Sequence, residues 1–358
     1  MMKTYYKFIL STFLKSFIFV FFIMFSLVII LNILSEIEFF RNTNVNVLFP
    51  LYLSLLNSPA LIFEMFPFIF LIGTQLFFIN LFNDNQIQIF KYSGLKNSKI
   101  LAIISLFTFF LGIFIILIFY SFSSNLKNFY LELKNNYTAD NEYLAVVTKN
   151  GLWIRDKINN KTLVINSSKI DGKFLVGTFI TEFDSEYNVT KNIKSNKIDV
   201  SKKKWLIYDA KIYQENYYKN ENYLELNTNF DYKRINSLYS NLSSLNIFEL
   251  LELRKNYKKL NYSVTELDLQ LLKLSSLPIF LVLMSLFSSL IMLRIKYLSG
   301  TTLKIAIGLL FSVIIYYFNN FFYVLGTTEK LNLILAIFIP IFALTFVNLL
   351  MLNKINEK

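Results

Sequence analysis

Apolar residues run along this chain in two sets of three long blocks, separated by a polar stretch from Lys127 to Lys273. The first block carries no charge from Ser16 to Ser35; Lys3, Lys7 and Lys15 precede it, and Glu36, Glu38 and Arg41 close it. It is too long for a signal-peptide core and lacks a small-residue cleavage site, so a permanent helix is expected. A mixed segment with Pro50 and Pro59 leads to the second block, Met65 to Asn83, with Glu64 at its outer end and Pro67 expected to kink its first turns. A short polar link, Asp84 to Lys99, joins it to the third block, Ile100 to Leu126. After the polar stretch come Leu274 to Leu293, Ile305 to Thr328 and Leu331 to Asn353. Blocks of about 20 residues or more cross a bilayer's hydrocarbon layer as helix, which predicts six spans.

The polar middle is too hydrophilic to enter lipid and too long for a connecting loop, so it is expected to fold as a domain on one side of a membrane. Its period is two rather than 3.6. Phe174, Val176, Thr178 and Ile180 alternate with Leu175, Gly177, Phe179 and Thr181, and Trp205 and Ile207 alternate with Leu206, Tyr208, Ala210 and Ile212. Asn159 and Asn160, Asp171 and Gly172, and Asp184 to Asn188 supply the turns. This predicts a β-sandwich or open roll over about 143–231. Ile247 to Leu260 reads as helix, and Ser263 with Glu266 forms a capping box for a helix continuing into the fourth span.

Composition narrows the chemistry. The chain is 54% hydrophobic and 18% aromatic, outside the range of a soluble domain. It has no cysteine and no histidine, which removes thiol nucleophiles, the usual general base and the commonest zinc ligand. No Gly-x-x-x-x-Gly-Lys-Ser/Thr phosphate loop is present; the nearest fragment is Gly172 and Lys173. The net charge of +12 is distributed as an orientation signal rather than a nucleic-acid signal. With both termini cytoplasmic, the inner short segments hold 11 basic residues (Lys3, Lys7, Lys15, Lys91, Lys96, Lys99, Arg294, Lys296, Lys304, Lys354 and Lys358), against Arg41 and Lys330 outside. That bias puts the polar domain outside the cytoplasm. Few charges lie within the spans, which argues against ion-coupled transport.

The link at 84–95 offers Ile87, Phe90 and Leu95 as the apolar stripe of a short helix that Gly94 could end. Its two readings are docking to a cytoplasmic partner and resting on lipid headgroups. Arg41, Lys127 and Lys134 are the cations available to lipid phosphates near the outer leaflet, or else anchors of helix ends. The aromatic run Phe17, Phe19, Phe21 and Phe22 reads as lipid-facing packing.

This layout, with Gly-Leu-Trp-Ile-Arg-Asp at Gly151 to Asp156 and a later Lys204-Trp205 pair, resembles the LptF/LptG family of lipopolysaccharide-export permeases, and the Gly-Leu-Trp motif favours LptG. The resemblance implies an α-helical membrane protein with six transmembrane helices and an inserted all-β, jellyroll-like periplasmic domain. Residues 1–126 would hold spans one to three with a cytoplasmic coupling helix near 84–95. Residues 127–262 would form the β-domain with a helical connector, and 263–358 spans four to six. It further implies a non-catalytic inner-membrane subunit without a cofactor. Its partners would be a cytoplasmic LptB-like ATPase dimer, an LptF-like paralogous permease, a single-span LptC-like bridge protein and lipopolysaccharide.

Gln86, Ile87, Phe90, Lys91 and Gly94 would then couple to the ATPase, and Arg41, Lys127 and Lys134 would meet substrate. Gln86 stands where the family has an acidic residue; its amide can still hydrogen-bond. Asn32 and Glu38 fall near the family's basic positions on the first span, and Leu331 to Leu333 replace the prolines usual before the sixth. The competing reading is a membrane-anchored scaffold whose β-domain captures an envelope partner.

Overall fold

The structure is a computed structural model describing residues 4–41, 45–46, 48–135, 137, 152–158, 161–171, 173–214, 217–232, 235, 241–259, 264–294 and 300–356. Lys3, Gly151, Asn159, Asn160, Gly172, Ser263, Lys296 and Lys358 lie outside the described residues. The chain divides into two compact units, Met1–Lys127 with Thr265–Lys358, and Asn128–Val264.

Among the described residues, six helices are long and apolar enough to cross a membrane. In chain order the first unit contains α1 (Thr4–Phe39), α2 (Leu48–Glu64), α3 (Phe66–Asn83), α4 (Gln86–Tyr92) and α5 (Asn97–Phe114). A π-helical turn, Ile115–Tyr120, leads from α5 into α6 (Ser121–Asn135). Helix α1 outruns its charge-free block at both ends, taking in Lys7, Lys15, Glu36 and Glu38. At 1.5 Å per residue its 36 residues extend well beyond a hydrocarbon layer of about 30 Å. The mixed segment with Pro50 and Pro59 is helix α2, with Pro59 inside it. Pro67 does not kink α3 but sits in its first turn, where its missing N–H costs no helical hydrogen bond.

The first unit is completed by α8 (Thr265–Arg294), α9 (Thr301–Thr327) and α10 (Leu333–Asn356). Helix α8 is the central one, packed against α3, α5 and α10 and the most buried of the six. Without a hydrophobic drive between helices in lipid, close approach and polar bonds hold such a bundle. Gly112 of α5 lets the backbone of Pro278 in α8 come so near that an added Cβ would stand 2.9 Å from Pro278 Cα. Ser288 donates to Leu71 O at 2.7 Å, Gln75 to Lys304 O at 3.0 Å and Asn348 to Leu283 O at 3.0 Å.

Helical period also sorts the aromatic run in α1. Phe17 and Phe21, four residues apart, face the bundle; Phe17 meets Phe70 at 4.7 Å and Phe21 meets Phe66 at 6.1 Å between ring centroids. Only Phe19 and Phe22 face outward as lipid-facing packing would require.

The second unit holds β1 (Leu152–Ile158), β2 (Lys161–Asp171), β3 (Phe174–Phe183), β4 (Val189–Asp199), β5 (Lys204–Gln214) and β6 (Tyr217–Asn227), then α7 (Ile247–Lys259). The strands form one antiparallel sheet in sequence order, the open-roll alternative rather than a two-sheet sandwich. The two edge strands are tied together: Asp156 in β1 accepts from the backbone N and the Nδ2 of Asn229, just past β6, both at 2.8 Å. Six strands spaced about 4.8 Å apart can be bridged edge to edge in this way only if the sheet curls.

The inner face carries a row of isoleucines, one on each of the first five strands: Ile154, Ile165, Ile180, Ile193 and Ile212. Strict alternation fails beside it. Leu175 joins Thr178 and Ile180 inside, and Trp205, Ile207, Ala210 and Ile212 all face inward. The reason is a crease at one level of the sheet, through Ser168, Gly177, Asn196 and Asp209, where the ladders skip one or two pairs yet keep register on both sides. Gly177 has φ +62° and Asp209 φ +48°, and such a residue turns the peptide over, so the inward set restarts one position later. Ser168 donates to Val176 O at 2.7 Å and Ser195 to Tyr208 O at 2.6 Å, which satisfies carbonyls beside the interrupted ladders.

Candidate functional site

Helix α4 is only seven residues long and could not persist alone in water; packing and its two ends hold it. Asn85 enters in the left-handed region at φ 54°. At the other end Leu95 N–H bonds Phe90 O at 2.8 Å and Gly94 N–H bonds Lys91 O at 3.0 Å, with Gly94 at φ +78°. This is the Schellman arrangement, with its usual apolar contact because Phe90 and Leu95 are both buried. Ile87 is buried with them, and Phe90 meets Phe8 of α1 edge-on at 5.9 Å. Burying three such side chains contributes about 1.5–3 kcal/mol each.

The expected stripe therefore exists, and Ile87 and Phe90 pack against this chain's own bundle. What faces outward is a second stripe: Ile89, 54% exposed, and Tyr92, 90% exposed, flanked by exposed Gln88 and Lys91. Gln86 is half-buried and Gly94 exposed, with open space where a Cβ would stand. The outward stripe has the same three-residue spacing as the inward one; position 89 against 92 could have revealed it. At the start of α5, Lys99 lies 5.7 Å over the Tyr5 ring, a second tie between this elbow and α1.

The three candidate cations do not form one group. Arg41 is exposed in the turn after α1. Lys127 is half-buried in α6. Lys134 is 5% exposed and donates to Tyr130 Oη at 2.9 Å, so its ammonium is already engaged.

Sequence reasoning missed two polar sites in the first unit. Glu64 at the end of α2 pairs with Lys273 of α8 at 2.8 Å, and Lys273 lies 5.3 Å over the Tyr323 ring of α9. Both side chains are partly exposed and border a cavity of about 130 Å³ that Asn319, Asn320 and Tyr316 also line. Glu36, read as closing the first span, is buried. Close by in sequence, Asn32 donates to Ser54 O at 3.1 Å and accepts from Asn57 Nδ2 at 3.3 Å. No single-residue signal distinguishes such a buried acid from an interfacial one, and the partners of Asn32 lie on another helix, α2.

In the second unit the motif residues are structural. Asp156 ties down Asn229, and Trp205, fully buried, donates its indole N–H to Phe230 O at 2.8 Å. Both fix the same short segment after β6. Trp153 of the same motif is exposed.

Among the described residues, six helices fit to cross a membrane, three on each side in sequence of an inserted antiparallel β-domain, define a polytopic membrane protein. The model of the lipopolysaccharide export system permease LptF/LptG family matches residues 7–354, nearly the whole chain, and the chain belongs to that family. It is thus a non-catalytic permease subunit of lipopolysaccharide export that works with partner subunits. A search of curated proteins finds no match.

Proposed function

We propose that this chain is the LptG-like member of a permease pair that lifts lipopolysaccharide out of the inner membrane, driven by a separate LptB-like ATPase dimer in the cytoplasm. The observation that carries this reading is α4, a short, locally capped helix seated on its own bundle through Ile87 and Phe90, with Ile89, Lys91 and Tyr92 turned out. A seated helix transmits a push; a loose loop absorbs it. In this scheme both termini and α4 are cytoplasmic, as the basic bias of the short segments favours, and the β-domain is periplasmic. The domain would hand lipid to an LptC-like single-span bridge protein beside an LptF-like paralogue. Gln86 and Gly94 shape the coupling helix, Ile87 and Phe90 seat it, and Lys91 flanks the contact. Arg41, Lys127 and Lys134 are the cations proposed to meet lipid phosphates at the outer leaflet, Lys134 while also donating to Tyr130 one helical turn away.

The test is co-purification from native membranes. An ATPase dimer is expected with the wild-type chain, and Ile89→Asp with Tyr92→Ala should release it or cut its hydrolysis at least tenfold. Absence of an ATPase, or an ATPase indifferent to these changes, would leave the anchored-scaffold reading in its place.

A further inference from the structure

The outer face of the β-sheet carries a row that structural packing does not explain. Directly opposed across five strands stand Trp153, Asn166, Phe179, Lys194 and Lys211. Trp153 is 56% exposed and Phe179 42%, and both lysines are exposed. Asn166 lies between the rings, its Nδ2 buried without a hydrogen-bond partner. Lys194 and Lys211 are direct cross-strand partners. Like charges there are about 4.5–5.5 Å apart at Cβ and repel. Among the described residues neither has an ion-pair partner, Asp209 at the crease two residues from Lys211 included. Two exposed lysines on directly opposed positions place positive charge where an anion lying across the two strands can meet both.

Strand spacing sets the scale. The two rings are two strands apart, about 10 Å, and the lysine pair begins one strand beyond Phe179. Flat exposed rings offer stacking surface to the C–H faces of sugars, and ammoniums offer charge-assisted hydrogen bonds to phosphate.

We propose that this row binds a phosphorylated oligosaccharide, with sugar rings on Trp153 and Phe179 and a phosphate across Lys194 and Lys211. The proposal deepens the permease reading by assigning the polar, sugar-phosphate end of the lipid to the sheet's outer face, and to that extent rests on it.

The chain has two tryptophans, and the second, Trp205, is fully buried, so acrylamide quenching of the full-length protein in detergent reports Trp153. The probe is a deacylated lipopolysaccharide oligosaccharide carrying its phosphates, compared with the same material after phosphatase treatment and with inorganic phosphate. The phosphorylated probe is expected to lower quenching by at least half. Dephosphorylation, or Lys194→Gln with Lys211→Gln, should weaken the effect at least tenfold, and Phe179→Ala should weaken both sugar probes. Unchanged Trp205 emission in each variant shows that the sheet remains folded. No protection, equal protection by inorganic phosphate, or tight binding by the double lysine variant would overturn the proposal. The readout needs no ATPase. An ATPase-bound chain with an unprotected Trp153 refutes this site alone, and a protected Trp153 without an ATPase refutes the permease scheme alone.

Discussion

Removing the Asp156 carboxylate should open the rolled sheet at its seam. Asp156 is fully buried and accepts two hydrogen bonds of 2.8 Å from Asn229, one from the backbone and one from the side chain. Hydrogen bonds to a charged group contribute about 1.5–3 kcal/mol each, and Asp156→Ala removes both. The expected loss is about 3–5 kcal/mol for local opening of the 228–230 segment, about two to three and a half powers of ten in its opening constant. Asp156→Asn keeps one acceptor oxygen and should cost about half as much.

Two readouts apply. Native-state hydrogen exchange of the Asn229 and Phe230 amides measures the opening directly. Emission of Trp205, whose indole N–H is held by Phe230 O, should shift to the red as that bond loosens. Because Asp156 and Trp205 pin one segment from two sides, Asp156→Asn and Trp205→Phe should be non-additive in the exchange measurement. If Asp156→Ala leaves both the protection of these amides and the Trp205 emission unchanged, the seam does not close the roll and the reasoning fails.

Three further outcomes follow from the same geometry. Gly112→Leu should force α5 from the Pro278 turn of α8 and lower stability in detergent by about 1–3 kcal/mol, read as a fall in melting temperature, whereas Ile103→Val at a buried site on α5 should cost about 1 kcal/mol. Glu64→Gln or Lys273→Gln should each cost under about 1 kcal/mol, since both side chains are partly exposed, and the reversed pair Glu64→Lys with Lys273→Glu should regain wild-type melting; a large loss in either single variant would contradict this. Asp184 is held below the usual carboxylate range chiefly by the backbone N–H of Asn188, and Asp199 chiefly by the Ser201 hydroxyl. A depressed folded pKa stabilises above the unfolded value of about 3.9 and is lost as pH falls through the folded one. Exchange protection in the β3–β4 and β4–β5 turns should therefore hold at pH 6 and drop below about pH 4, and Asp184→Asn should remove that dependence in the first turn.

Much of this protein was decided by its one-dimensional pattern. Long charge-free blocks leave no alternative to membrane helices, because lipid offers backbone groups no other partner, and the two-residue period of the middle stretch required strands. Ile87, Phe90 and Gly94 were readable as a short capped helix because capping is local chemistry. Whether the inward stripe of that helix met a partner or the chain itself was not readable, since Phe8 lies far away in sequence.

Tertiary structure alone decided the features that depend on distant residues. The crease at Gly177 and Asp209 reverses which side chains face inward, and a positive φ at an aspartate has no signature in hydrophobic alternation. The Asp156–Asn229 seam, the Glu64–Lys273 pair and the opposed Lys194 and Lys211 each join residues that become neighbours only through register or packing. A linear pattern fixes which face of an element is apolar; which other element covers that face, and which charges are left facing each other, is set by the closure of the chain in three dimensions.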